Sequence, residues 1–235
     1  MRNPLIYIPV KDAIDTAEKA IRCLCAWNVP FTVWNDRSTD ESTARLHALR
    51  DELGFGLIDV AEITNHPSPN YRLLLQRAQQ EALSAGTHLV LVESDVLVRP
   101  DTLSQMLQAA QATKMGMVAA ITHDADGNIN FPYLYARNIK PADPTLATTK
   151  RLSFCCTLMT NEFLRAFDFA ELNPDKDWFD VTISNESRKH GFTNLLLLGT
   201  PVTHLPHASR PWKQLKYTHP LKYYWLKLIH GRDKI

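Results

Sequence analysis

Short apolar runs alternate with segments of helical periodicity throughout the first half of the chain. Runs rich in β-branched side chains predict strands. Such runs occupy Leu5–Val10, 31–34, 57–63 and Leu89–Val92. Apolar positions spaced three or four residues apart predict helices between them. These helices are predicted at 13–27, from Ser38 to Gly54, at Tyr71–Ala85 and from Arg99 to about 113. This alternation is typical of a doubly wound α/β sheet.

The alternation weakens in the second half. A strand is predicted at 117–120, whereas 124–144 is rich in Asp, Asn and Pro and reads as loops. The remaining predicted elements are a strand at 152–159, a helix at 177–190 that Gly191 ends, and a strand at 195–198. We therefore expect one α/β domain over 1–209, with a mixed, mostly parallel central sheet flanked by helices, and a basic aromatic tail over 210–235.

Composition narrows the class of protein. The 235 residues are 45% hydrophobic, which suits one sizeable core rather than two independent domains. A formal net charge of +1 gives no global reason to expect nucleic acid as a partner. The apolar segment PLIYIPV is too short for a signal-peptide core, and no run of eighteen apolar residues follows. We expect a cytoplasmic protein that does not span a membrane.

The strand at Leu89–Val92 is apolar at every position and leads into Glu93, Ser94 and Asp95. In an open α/β sheet, ligands bind beyond the carboxyl ends of the strands. If the chain stays extended there, Glu93 and Asp95 point the same way and offer the oxygen ligands that Mg²⁺ or Mn²⁺ prefers beside a diphosphate. The alternative is that these acids solvate a turn or cap the next helix.

The segment GTHLVLVESDVLVRPDTL resembles family 2 glycosyltransferases, in which an apolar strand ends in a D-x-D signature before a Pro-led helix. Asp95 matches the metal-binding position of that signature, and Glu93 replaces its first Asp. Two earlier segments are similar to the family's nucleotide site. LIYIPV carries Pro9 and Val10, and VWNDRSTDES resembles V-D-D-G-S-T-D, with Asn35, Asp36 and Ser38 at its polar positions.

Two later segments resemble the same family. DWFDVTISNESRKHGF is similar to its E-D helix, which implies Asp180 as the catalytic base, with Asp177 as the alternative. GTPVTHLPHASR places His204 after the last strand, where the family has a histidine that contacts metal or diphosphate; His207 is a second candidate. RLSFCCTLMTNEFLRAF resembles the acceptor-side strand and helix and would bring Cys155 and Cys156 near the donor sugar, although ordinary core packing is the favoured reading.

The resemblance covers about 4–209 and implies a Rossmann-like GT-A fold, with a nucleotide-binding half (1–100) and an acceptor half (101–209). It implies an inverting transfer from a nucleoside diphosphate sugar, with UDP as the expected nucleotide, to a glycan or lipid-linked hydroxyl. Ser94 is expected beside the diphosphate. One rival is a sugar-phosphate nucleotidylyltransferase, which would need a Gly-rich loop that 9–12 lacks. The other is a catalytically silent relative, which the departures at Asn35, Arg37, Glu93 and Phe179 suggest.

The tail concentrates basic and aromatic residues. From Arg210 onward, the basic residues outnumber the one acid, Asp233, and alternate with Trp and Tyr. A helix begun by Pro220 would present an apolar face suited to the surface of an anionic bilayer, so we expect peripheral contact with the inner face of a membrane. The alternatives are a helix docked on the body with solvated lysines, and a flap over the donor diphosphate.

Overall fold

The computed structural model describes residues 3–139, 144–176, 178–206 and 219–229, and one mixed sheet runs through them. Its nine strands are β1 Leu5–Val10, β2 Thr32–Asn35, β3 Gly56–Asp59, β4 Leu89–Val92, β5 Val96–Leu97, β6 Met115–His123, β7 Thr145–Ala147, β8 Cys156–Met159 and β9 Thr193–His204. The helices in the same ranges are α1 Ile14–Leu24, α2 Asp40–Leu53, α3 Tyr71–Ala85, α4 Thr102–Ala109, α5 Asn161–Ala166, α6 Phe179–Lys189 and α7 Pro220–Ile229.

The strand order is β3-β2-β1-β4-β8-β6-β9-β5, with β7 paired to β9. The strands β3, β2, β1 and β4 are mutually parallel, as are β6 and β9. In contrast, β8 runs antiparallel between β4 and β6, and β5 and β7 are antiparallel to β9. The predicted mixed, largely parallel sheet with flanking helices is confirmed. The parallel block places the carboxyl ends of β1, β2 and β4 along one edge, which we call the carboxyl edge.

Helices cover both faces of the sheet, so the central strands are buried throughout. Along β4, Val90 and Val92 pack in the same cluster as Ile21 of α1, whereas Leu89 and Leu91 pack in the cluster that contains Leu74 of α3. This split follows from the two-residue alternation of side chains in a strand. All four β4 positions are buried, as expected for a parallel strand with layers on both faces.

The predicted elements of the first half lie close to those observed. The predicted bounds of β1, β4 and α3 match, and Gly54 and Gly86 end α2 and α3 with positive φ values of 76° and 64°. The predicted start of the second helix at Ser38 is two residues early, because α2 begins at Asp40 and the side chain of Thr39 accepts the N–H of Ser42 as its cap.

The second half departs further from its predicted elements. Helix α4 ends at Ala109 rather than near 113, and β9 is longer than the predicted strand at 195–198. The short strands β5 and β7 were not predicted. Both pair with β9 over only two or three residues, so their hydrogen-bonding partner rather than their own sequence defines them.

Helix α7 is the described part of the predicted tail. Its Tyr223 is 4% exposed, whereas Leu221 and Leu228 are 88% and 82% exposed. Tyr224, Trp225 and Ile229 are also exposed. The helix therefore keeps one aromatic side chain buried and leaves a broad apolar face uncovered. Among the residues that the structure describes, no helix has the length and apolar character needed to cross a bilayer.

Candidate active site

The loop after β1 shapes the carboxyl edge. Asp12 and Ala13 have positive φ values of 53° and 48°, an uncommon conformation for residues with a Cβ. Hydrogen bonds to the segment after β2 hold this loop: Asp12 N–H donates to Ser38 Oγ at 2.9 Å, and Thr39 N–H donates to Asp12 Oδ1 at 2.7 Å. Ser38 thus joins the two loops that follow β1 and β2, next to Pro9 and Val10.

Asn35 is buried at the end of β2 and donates from its amide nitrogen to two neighbours. It reaches Asp59 Oδ1 at 2.7 Å and Thr43 Oγ1 at 3.0 Å, while its own Oδ1 accepts the N–H of Ser38 at 3.3 Å. Asp59, at the end of the adjacent parallel strand, also contacts His47 Nε2 at 2.8 Å. An amide at position 35 therefore matches the carboxylate beside it, which a second carboxylate would repel.

The carboxylate of Asp36 is 7% exposed and accepts hydrogen bonds at both oxygens. Ser68 Oγ donates to Oδ2 at 2.6 Å, Asn70 N–H donates to Oδ2 at 2.9 Å, and Asn70 Nδ2 donates to Oδ1 at 2.7 Å. These bonds tie the loop between β3 and α3 to the end of β2. Asp36 therefore holds the segment at Ser68 and Asn70 against the carboxyl edge.

The Glu93-Ser94-Asp95 signature lies in a turn. Strand β4 ends at Val92, and Val96 N–H donates to Glu93 O at 3.1 Å across Ser94 and Asp95. The extended arrangement with parallel Glu93 and Asp95 side chains is therefore wrong.

The same turn brings Asp95 against the end of β9. The backbone oxygen of Asp95 accepts Leu205 N–H at 2.8 Å, and Asp95 Oδ2 lies 3.7 Å from His204 Nε2. The predicted candidates Asp95 and His204 are thus neighbours, although 109 residues separate them in the chain.

Glu93, Cys155 and His204 form a compact group of potential metal donors, whose ligand atoms lie within 4.8 Å of one another. Backbone pairing fixes two members, because Val92 is registered with Cys156 and Glu93 N–H donates to Cys155 O at 3.0 Å. The Cys155 thiol donates to Glu93 Oε2 at 3.1 Å. His204 joins from β9, where it is registered with Val96.

The electrostatics of this group depend on its acids. Burial, and then the negative charges of Glu93 and Asp95, raise the pKa of Cys155 well above its usual value, so the thiol keeps its proton. Burial alone would lower the pKa of His204, but hydrogen bonding to Asp95 and the charges of Asp95 and Glu93 outweigh it and raise this pKa. The negative charges of Glu93 and Asp95 contribute to both shifts, and a divalent cation would neutralise these charges.

A second group lies around Asp180 in the first turn of α6. Its Oδ1 accepts Val181 N–H at 2.9 Å, and its Oδ2 lies 3.4 Å from Arg151 Nη1. The Arg151 guanidinium lies 4.3 Å from the ring centroid of Trp178 and 5.1 Å from that of Phe131, which are cation–π distances. The Asp180 carboxylate is thus held between a helix N-terminus and a fixed cation, and both favour its ionised form.

Phe131 connects the two groups. Its backbone oxygen lies 2.9 Å from His204 Nδ1, and its ring contacts Arg151. The segment 124–144, predicted from the sequence as loops, thus supplies a residue that contacts both groups. Phe131, Arg151 and Trp178 were not predicted as site residues. Of the other candidates, Cys156 packs in the core near Met106 Sδ at 3.8 Å, and Asp177 and His207 lie outside the described residues.

Sequence comparison identifies the family. The sequence model of glycosyl transferase family 2 matches residues 5–167, which is more than half of the chain. The chain belongs to glycosyl transferase family 2. The match includes β1 to β4 and Cys155 and ends before Asp180 and His204. No curated protein matches the chain significantly.

Two solved structures share the fold of this family 2 chain. S. aureus TarS 1–349 in complex with UDP is 13% identical, with a TM-score of 0.65 over 92% of this chain and 64% of that chain. GalNAc-T7 with UDP, GalNAc and Mn²⁺ is 10% identical, with a TM-score of 0.62 over 88% of this chain and 45% of that chain. The chain thus spans less than two thirds of either structure. The predicted GT-A architecture is confirmed.

Proposed function

We propose that this chain is an inverting, metal-dependent glycosyltransferase that transfers a sugar from a nucleoside diphosphate sugar, with UDP as the nucleotide, to a glycan or lipid-linked hydroxyl. One observation carries the proposal: a group of potential metal ligands that includes Glu93 and His204 is connected through Phe131 to a second group around Asp180. In the second group, Arg151 holds the Asp180 carboxylate. Membership of the family and the UDP named in two structures of the same fold support it.

The group of potential metal ligands at Glu93, Cys155 and His204 fits a divalent cation. Carboxylate, imidazole and thiol donors lie within 4.8 Å of one another, with the Asp95 carboxylate 3.7 Å from His204. Mg²⁺ or Mn²⁺ is the ion expected from the family, and GalNAc-T7 was solved with Mn²⁺. When bound, the cation supplies positive charge that stabilises the departing diphosphate. Glu93, Asp95 and His204 would hold it, with Ser94 beside the diphosphate.

Asp180 is proposed as the general base. An attacking hydroxyl must lose its proton as its oxygen bonds to the anomeric carbon, and an anionic carboxylate within hydrogen-bond reach accepts it. Arg151 and the Val181 N–H orient the carboxylate and favour its anionic form. Because the base would activate the acceptor on the side opposite the leaving diphosphate, the anomeric configuration would invert.

The proposed nucleotide pocket lies beside the ends of β1 and β2. Pro9 and Val10 would form its floor and Ser38 its rim, where Ser38 joins the two loops. Asn35 and Asp36 are kept in the proposal as residues that hold the pocket wall, since hydrogen bonds to Asp59, Ser68 and Asn70 already occupy their polar atoms.

The deciding experiment measures UDP release from a panel of UDP-sugars with Mn²⁺, using Asp180→Asn. The amide keeps the size of the side chain but cannot accept a proton, so kcat should fall by about 10²–10⁴-fold while UDP affinity changes little. Asp51→Asn, at a 69%-exposed side chain, is the matched control and should retain full activity. Unchanged turnover in Asp180→Asn would contradict the assigned base.

If the wild type releases no UDP, two further measurements separate the rival functions. A nucleotidylyltransferase would release pyrophosphate from a nucleoside triphosphate and a sugar phosphate. A silent relative would bind UDP without turnover in the wild type. Asp95→Ala adds a check on the metal, since it should reduce both Mn²⁺ affinity and turnover.

We also propose that α7 contacts an anionic membrane beside a lipid-linked acceptor. Its exposed apolar face includes Trp225 and Leu228, while Tyr223 on the same helix is buried. The sequence from Arg210 onward has seven Lys and Arg residues against one acid. Apolar and aromatic side chains on a helix within a cationic segment match the interface of anionic lipids.

Flotation of the full-length protein with vesicles containing phosphatidylserine tests this contact. Trp225→Ser combined with Leu228→Ser should move most of the protein to the unbound fraction. The matched control is Ile63→Ser with Leu134→Ser, which also removes two exposed apolar side chains but leaves α7 intact. Equal flotation of both double variants would contradict the proposal, and so would a wild type that does not float.

A further inference from the structure

The two neighbouring cysteines at the start of β8 lie in different environments. Cys156 packs near Met106 in the apolar core, and burial raises the pKa of its thiol to about 12. The Cys155 thiol instead contacts Glu93 Oε2 at 3.1 Å and Ser153 Oγ at 3.4 Å. Both thiols are buried in the same apolar cluster, but only that of Cys155 also contacts a carboxylate.

The backbone fixes the position of the Cys155 thiol. The antiparallel pairing of β4 and β8 continues past Val92 through the bond from Glu93 N–H to Cys155 O at 3.0 Å. His204 is held by the β5–β9 pairing and by the Phe131 carbonyl, 2.9 Å from its Nδ1. Because the carbonyl accepts the Nδ1–H proton, Nε2 is the nitrogen that would bind a metal, as is usual for histidine ligands.

We propose that Cys155 is a direct metal ligand, and that with Glu93 and His204 it makes this site selective for a thiophilic divalent cation such as Zn²⁺ or Co²⁺ over Mg²⁺. Three protein donors of oxygen, sulfur and nitrogen type lie within 4.8 Å of one another. Three such ligands with a fourth position open to a further oxygen are typical of catalytic zinc sites. Mg²⁺ instead requires nearly octahedral oxygen ligands, among which a thiol has no place.

The charge balance agrees with this assignment. Without metal, the Cys155 thiol donates to Glu93 Oε2 at 3.1 Å. When a cation binds, the sulfur–metal bond would replace the S–H bond, and the thiol proton would pass to solvent. The Glu93 carboxylate and the Cys155 thiolate then neutralise the two positive charges of the ion, and the Asp95 carboxylate, 3.7 Å from His204 Nε2, adds a further negative charge. The open position remains available to a phosphate oxygen.

The inference rests on the proposed function only in concerning the same metal site, and metal binding is measurable without donor or acceptor. Co²⁺ is titrated into metal-free, full-length protein under reducing conditions. A thiolate ligand produces a sulfur-to-cobalt charge-transfer band in the near ultraviolet, which oxygen and nitrogen ligands do not. We expect this band to saturate at one Co²⁺ per chain, and to be lost in Cys155→Ser.

Cys25→Ser is the matched control, because it removes an exposed free thiol and should keep the band. Zn²⁺ affinity should fall at least tenfold in Cys155→Ser, while Mn²⁺ affinity should change less than threefold. In case that variant folds poorly, X-ray absorption of the Zn²⁺-loaded wild type should show one sulfur at about 2.3 Å.

A wild type that binds Co²⁺ without the charge-transfer band, or a Zn²⁺ spectrum with only oxygen and nitrogen neighbours, would overturn the assignment of Cys155. The proposed function would survive that result, because Glu93, Asp95 and His204 would still bind Mn²⁺. A wild type that releases no UDP from any UDP-sugar would overturn the proposed function and leave the cobalt result unaffected. The two ideas can thus fail separately.

Discussion

The carboxyl edge has two ends that treat their polar side chains differently. One end lies beside the proposed nucleotide pocket, and we call it the base end after the nucleotide base. There, Asn35 and Asp36 form hydrogen bonds with other residues of the protein. At the metal end, Glu93 and Asp95 lie close to Cys155 and His204; burial and these two acids raise the pKa of Cys155, and the acids raise that of His204 against the effect of burial. The first arrangement is complete without a ligand, whereas the second gains from a cation. Polar residues of the family-like motifs can therefore either hold the structure of a site or bind its ligand.

This comparison predicts opposite responses to substitution. Removing a polar group from the base end should destabilise the fold, because its partners are buried and lose their hydrogen bonds. Removing a charge from the metal end should cost little stability in the metal-free protein, because it relieves repulsion among acids. Metal binding should show the reverse pattern.

The largest expected effect on stability is that of Asp36→Ala. This change leaves the Ser68 hydroxyl and both donors of Asn70 without their acceptor, and we expect unfolding free energy to fall by about 3 kcal/mol. Chemical denaturation of the metal-free protein measures it. Asp124→Ala is the control, since Asp124 also accepts two backbone N–H groups but in an exposed turn, where water replaces it. Equal losses in the two variants would show that the base end has no special structural role.

The next effect concerns Glu93→Gln. Stability without metal should change by less than about 1 kcal/mol, because an amide fits the same space and removes one negative charge. A concentration of Mn²⁺ at one hundred times Kd should stabilise the wild type by about 2.7 kcal/mol, and this gain should be largely absent in the variant. Thermal unfolding with Mn²⁺ and with EDTA measures both quantities. Asp101→Asn, at a surface carboxylate that pairs with Arg99, should keep the full gain.

The sequence predicted the base end and the metal end with unequal success. The bounds of β1, β4 and α3 follow from local periodicity, and the position of Asp95 after a buried strand follows from the topology of parallel sheets. The turn at Ser94–Asp95 does not follow, because it depends on pairing between β5 and β9, more than a hundred residues apart. Such long-range pairing leaves no periodic signal in a two-residue strand.

Cys155 is buried in the core as predicted, but the sequence did not show that its thiol also contacts Glu93. Cys155 and Cys156 are equivalent in composition, and only the register of β8 against β4 decides which thiol faces Glu93. A shift of one residue would exchange them. Arg151 was missed because its partners Phe131, Trp178 and Asp180 come from three separate segments. Segments that resemble the family predicted the candidate site residues, and the structure showed which residues contact them.

A smaller effect is expected from Asn35→Asp, which restores the acid of the family motif. The new carboxylate would face Asp59 Oδ1, now 2.7 Å from the amide nitrogen, and repulsion should cost about 2 kcal/mol at neutral pH. The double variant with Asp59→Asn reverses the polarity of the pair and should recover most of that loss. Urea denaturation of the two single variants and the double variant measures their coupling. Additive losses would mean that Asp59 does not determine the amide at position 35.

The smallest effect tests how the base end is joined to α2. Thr39 caps this helix through its hydroxyl, which accepts Ser42 N–H at 3.4 Å, while its own N–H holds Asp12. Thr39→Ala should cost about 1 kcal/mol and speed amide exchange in the first turn of α2, whereas Thr39→Ser keeps the acceptor and should lie within a few tenths of the wild type. Because Ser38 accepts Asp12 N–H instead of capping, Ser38→Ala should loosen the loop after β1 without faster exchange in α2. Faster exchange of α2 in Ser38→Ala alone would transfer the cap to Ser38 and would separate the base end from Thr39.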